Sequence, residues 1–213
     1  MHIYAFGSIC RGDVTKESDI DLLALVQGFD TRFDPDKFSI YSYRRIDELW
    51  QYGNPFAWHL SLESNLLHSS DGKDYLRQLG RPNSYLSGFA DCSKFRMLVT
   101  KARNSLRNDS RSLVFDLSTI FLGIRNFATC FSLAMCETPI FGRDAALKLG
   151  DYSIPVDSTC YDVLRRARIL STRGIGEGPT STSIQFVLDQ LGVVDEWMEQ
   201  LLELVKNDER IQQ

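Results

Sequence analysis

The chain predicts an α+β protein in which a sheet-bearing N-terminal segment is followed by a helical bundle. Two observations carry this. The runs HIYAF (2–6), IDLLALV (20–26) and FSIYSY (38–43) are short, apolar and rich in branched or aromatic residues, as strands are. Beyond Gly80-Arg81-Pro82-Asn83-Ser84 the apolar residues recur instead every three or four positions, the period of a helix. That change of period marks a boundary between a first domain, 1–82, and a second, 83–213.

Taken in order, HIYAF ends at Gly7 and so runs into a turn. The second and third strands are joined by a polar loop holding Asp30, Asp34, Pro35 and Asp36. Ile46, Leu49, Trp50, Phe56 and Leu60 make a helical stripe. Gly53-Asn54-Pro55 splits it into two helices, with Pro55 suited to a first turn. Leu66-Leu67-His68 reads as a short fourth strand, stopped by Ser69-Ser70-Asp71-Gly72. In the second domain, Leu113, Leu117, Ile120, Ile124, Phe127, Phe131 and Met135 form one stripe. Phe115, Leu122 and Leu133 lie opposite, which predicts a spine helix buried on two faces. The five phenylalanines from Phe115 to Phe141 are expected in the core. Ile184, Val187, Leu188, Leu191, Val194, Met198, Leu201, Leu202 and Val205 predict a one-sided terminal helix. Ser171 to Ser183, rich in Gly, Ser and Thr, predicts a mobile loop before it.

Composition narrows the function classes. With 213 residues, 43% of them hydrophobic, the chain can build a real core. Lys and Arg total 24 against 28 Asp and Glu, a net charge of −4 without a long basic run, which argues against long duplex nucleic acid as the main partner. Five scattered cysteines without a CxxC pair read as reduced thiols of a cytoplasmic protein. The start MHIYAF has no signal-peptide pattern. Asp116, Arg125 and Asn126 interrupt the most apolar stretch, Leu113 to Met135, so no membrane span is expected.

The chemistry concentrates in FGSICRGDVTKESDIDLLALV, Phe6 to Val26. Residues two apart on a strand share a face, so Asp19 and Asp21 project together while Ile20, Leu22 and Ala24 turn away. Two adjacent carboxylates repel unless a cation neutralises them, and such a pair with open water positions suits Mg²⁺. Gly7-Ser8, directly after a strand, lets backbone N–H groups and a hydroxyl approach an anion. Together they suit a magnesium-bound nucleoside triphosphate (NTP). An EF-hand is excluded because Ala24 and Asp30 stand where its Gly and Glu are required, and the GK[ST] of a Walker A loop is absent.

Gly7-Ser8, Arg11-Gly12 and Ser18-Asp19-Ile20-Asp21-Leu22, in that order, resemble the signature of the DNA polymerase β-type nucleotidyltransferase superfamily. The small bacterial branch of minimal and kanamycin-type enzymes is the nearest in pattern. The resemblance covers roughly residues 1–70 and implies a mixed sheet, with the helical half only loosely like the bundles these enzymes carry. It further implies that Ser8 contacts the terminal phosphates, with Gly7 and Arg11 in the same nucleotide-binding set, although an arginine at that place can serve to stabilise the loop instead of touching phosphate, and that Asp19 and Asp21 bind two Mg²⁺. A nucleoside monophosphate, AMP from ATP above all, would pass to an acceptor hydroxyl as pyrophosphate leaves. Members usually carry a third carboxylate on the neighbouring strand and a helix before the first strand. FSIYSY offers only Ser39 and Ser42, Asp47 and Glu48 follow too late, and this chain opens almost in the first strand. A substitute acid, an incomplete metal site, or loss of catalysis would each fit. The last would make the chain a nucleotide- or protein-binding module, such as a toxin–antitoxin or defence partner. Glu63, one helical turn from His59, and Asp116 are the weak candidates for the missing acid, each with a structural pairing as the favoured role. Arg165, Arg166, Arg168 and Arg173 are read mainly as a solvated helix face. The mild acidity favours a small molecule or a protein over RNA as acceptor, and the one-sided terminal helix is compatible with a homodimer.

Overall fold

A computed structural model describes residues 1–13, 20–28, 30–108 and 112–208. These fall into two compact units, Met1–Leu86 and Ser87–Gln213.

In the first unit β1 (His2–Phe6), β2 (Asp21–Val26), β3 (Phe38–Ser42) and β4 (Ser64–Ser69) form a mixed sheet of order β3-β2-β1-β4. β1 runs antiparallel to β2 and β4, whereas β2 and β3 are parallel. Strand alternation sorts the core. Tyr4, Phe6, Leu23 and Leu25 pack against Ile46, Leu49 and Trp50 of α2 (Tyr43–Gln51), Ala57 and Leu60 of α3 (Pro55–Leu62), and Leu76 near a short turn, Tyr75–Gln78. Ala24 and Val26 pack instead with Phe33 from the β2–β3 connection, whose ring meets Phe38 edge-on at 5.1 Å.

The break between α2 and α3 follows its residues. Ser42 caps α2 by accepting from the Arg45 N–H, and Asn54 caps α3 by accepting from Phe56, with Pro55 in the first turn. Gly53, at φ +59°, lies against the Asn83 and Ser84 carbonyls, and a Cβ there would sit 2.5 Å from the Asn83 oxygen. The Gly80–Ser84 segment is held on α2. Trp50 Nε1 donates to the Gly80 carbonyl at 3.0 Å, and the Asn83 side chain donates to the Gln51 carbonyl at 2.8 Å.

Asp71 closes the far end of this unit. Ser69 Oγ donates to it at 2.7 Å and the Lys73 N–H at 3.0 Å, and with His2 beside it these bonds hold its carboxyl down to about 2. A carboxyl lowered on folding stabilises above its unfolded value and loses that contribution as pH falls through the folded one. The unit is therefore expected to lose stability between about pH 4 and pH 2. Asp71→Asn should flatten that limb in acid titrations followed by circular dichroism.

In the second unit the described α-helices are α4 (Gly88–Arg107), α5 (Leu113–Met135), α6 (Ser158–Arg173) and α7 (Ser181–Lys206). α5 is the spine, with Leu117, Ile120, Phe121, Ile124, Phe127, Ala128 and Phe131 buried. Gly123 lets α4 approach it closely, since a Cβ there would strike the Val99 side chain. α5 has the length and apolarity of a membrane span (mean hydropathy 1.3), but 61% of that window is buried inside the unit. α7 buries the expected stripe, including Val187, Leu191, Val194, Met198 and Val205.

Two expectations need correction here. Burial on two faces does not reach the start of α5, because Phe115 is 60% exposed, while Phe121, Phe127, Phe131 and Phe141 are buried. Periodicity reports a face but not whether a neighbour exists at that level. The Gly/Ser/Thr-rich segment is also shorter than its composition suggests. Ser171–Arg173 finish α6, which ends at Gly174 in the left-handed conformation, and Thr180 caps α7 by accepting from the Ser183 N–H, leaving only 174–180 as connection.

Candidate active site

Gly7 follows β1 with φ +75° and ψ −138°, a backbone geometry suited to glycine. Its N–H donates to the Glu63 carbonyl at 3.0 Å, and its own carbonyl accepts from Cys10 at 3.0 Å, starting the single turn α1 over Ser8–Arg11. Four residues are too few for a helical period to be legible in sequence. Asp21 opens β2 directly opposite Phe6, the neighbour of Gly7. A Cβ on Gly7 would stand 2.8 Å from Asp21 Oδ2. The glycine turn and the exposed carboxylate of Asp21 are thus in contact range only because position 7 has no side chain. Asp19, and with it the expected pairing of the two aspartates, lies outside the described residues. Ser8 is half-buried at the first position of the turn.

Arg11 ends that turn between two carboxylates. Its Nε donates to Asp13 Oδ2 at 3.1 Å, and its Nη1 to Glu63 Oε2. The same Glu63 oxygen is 2.9 Å from His59 Nε2, and the His59 ring meets Phe6 edge-on. Glu63 stands just past the end of α3, as its capping residue rather than within it. Cys10 Sγ donates to the Ala5 carbonyl and accepts from Asn65 Nδ2, and burial pushes its thiol up, so it serves the turn as a packed, protonated group.

The other sequence candidates are engaged elsewhere. Ser39 of β3 pairs with Leu23, and the strand carries no acid. Asp116 is buried and accepts from Ser105 Oγ at 2.7 Å between α4 and α5. Asp116→Ala is expected to cost about 1–3 kcal/mol of stability, with nucleotide affinity unchanged. Denaturant melts paired with calorimetry check both. Arg165 and Arg166 bind Asp162, and Arg168 reaches Ser118 Oγ at 3.4 Å. Among the described residues no group of three or more His, Cys, Asp or Glu is arranged to hold a metal. A cleft of about 660 Å³ opens at the opposite end of β1 and β2 from Gly7 and Asp21, lined by His2, Asp30, Arg32, Tyr43, Asp71 and Tyr75 among others. Its polar groups bond one another: His2 Nδ1 to the Tyr43 hydroxyl at 2.7 Å, and Arg32 to both Asp30 oxygens.

Residues 2–77 match the family model of the nucleotidyltransferase domain. The match spans most of the first unit and supports nucleotidyl transfer as its general chemistry. The match is consistent with the polymerase β-type superfamily. No curated protein matches the chain, and no solved structure does.

Proposed function

We propose that the protein transfers a nucleoside monophosphate, AMP in the leading case, from a magnesium-bound NTP to the hydroxyl of an acceptor. The observation that carries this is the approach of Gly7 to Asp21, 2.8 Å from an imagined Cβ to Oδ2. A side chain on Gly7 would fill the space in front of the carboxylate, so the turn keeps it accessible. Asp21 is an exposed hard oxygen donor at the mouth of the sheet, a fit for Mg²⁺. Asp21 and Asp19 would hold the cation. Bound there, it neutralises phosphate oxygens and stabilises the charge that develops in transfer. The Gly7 turn admits the triphosphate chain, and the Ser8 hydroxyl donates to its terminal oxygens. The acceptor oxygen attacks the α-phosphorus, its proton passes to water or a base, and pyrophosphate leaves. The net charge of −4 favours a small molecule or a protein over RNA as acceptor.

The test is calorimetric titration with each NTP, with and without Mg²⁺, followed by pyrophosphate-release assays against hydroxyl acceptors. Magnesium-dependent binding of one NTP and pyrophosphate release are expected. Binding without release would mark a nucleotide-binding module, and no binding would overturn the reading.

A further inference from the structure

We propose that Glu63 is the positioning residue of the nucleotide site, gripping the Gly7–Arg11 turn at both ends. This rests on the nucleotidyl-transfer reading of the same site. The main-chain carbonyl of Glu63 accepts the Gly7 N–H at 3.0 Å, fixing the start of the turn. Its carboxylate takes Arg11 Nη1, fixing the end, and His59 Nε2 holds that carboxylate at 2.9 Å. The residue that follows, Ser64, pairs with Phe6, so the grip is registered to the strand that leads into Gly7. The Glu63 and His59 side chains are only 14% and 15% exposed, and that of Arg11 23%, so water screens the contacts little. Arg11 also bonds Asp13 at 3.1 Å. With two carboxylates on one guanidinium, its charge is already spent within the turn, and attraction for phosphate must come from the backbone, the Ser8 hydroxyl and a cation.

The experiment compares Glu63→Gln, Arg11→Met and the double variant by Mg–ATP calorimetry, at a temperature where thermal melts show each variant folded. Glu63→Gln keeps the shape and removes the charge. Each single variant is expected to weaken Mg–ATP about tenfold, and the double variant no further, because both break one tether. Arg11→Lys should recover part of the loss. Equal affinity in Glu63→Gln and the parent, or a melting shift without an affinity shift, would overturn the proposal. So would tighter binding by Glu63→Gln, which would make Arg11 a phosphate ligand that Glu63 restrains. Multiplying losses in the double variant would also overturn it. A parent protein that binds no Mg–ATP under any condition would overturn the nucleotidyl-transfer reading itself, a result distinct from all of these.

Discussion

Asp21→Asn is expected to weaken magnesium-dependent NTP binding by about a hundredfold or more while leaving the first unit folded. The substitution keeps the size of the side chain and its place opposite Phe6. What it removes is the negative charge, and a hard cation discriminates sharply between a carboxylate and an amide oxygen. The residue is exposed, so the core of Tyr4, Phe6, Leu23 and Leu25 is not disturbed. As a substitution at an exposed position, it should leave the melting temperature near the parental value. Calorimetry with and without Mg²⁺ and a thermal melt separate the two effects. A variant that binds Mg–NTP as tightly as the parent would show that this carboxylate does not hold the cation.

What could be read before the structure was what depends on neighbours in sequence. Strand alternation put Ile20, Leu22 and Ala24 on one side and Asp21 on the other, and Ala24 does pack in the cluster opposite Leu23 and Leu25. The break at Gly53-Asn54-Pro55 was visible because capping and φ preferences are local, and α3 begins at Pro55. Glu63 is different. Its bonds to Gly7 and Arg11 span more than fifty residues and exist only because the start of β4 pairs with the end of β1, Ser64 opposite Phe6. Helical spacing joins His59 and Glu63 as an i, i+4 pair and carries no signal of Arg11. Phe115 marks the converse limit, since its helical position was correct but its burial depended on packing partners. The ends of α6 and α7 were masked by composition: Gly174 and the Thr180–Ser183 cap are ordinary helix boundaries inside a stretch that reads as loop.

Gly7→Ala should damage fold and site together. Residue 7 holds φ +75° with ψ −138°, a region that side chains penalise by about 1–3 kcal/mol. The bonds on both sides oppose relaxation, since its N–H is held by Glu63 and its carbonyl by Cys10. The added methyl would also stand 2.8 Å from Asp21 Oδ2. Of the two, the carboxylate is the softer, because its torsion can rotate while the backbone is tied at two points. Asp21 is therefore the group displaced, and Mg–NTP affinity should fall nearly as far as in Asp21→Asn. Combining the two substitutions separates the causes. If displacement of Asp21 is the reason for lost binding, Gly7→Ala adds little further loss of affinity in the Asp21→Asn background, yet the double variant still melts at a lower temperature than Asp21→Asn alone. An alanine at position 7 that leaves both melting temperature and Mg–NTP affinity at parental values would show that the turn tolerates a side chain and that its contact with Asp21 is incidental.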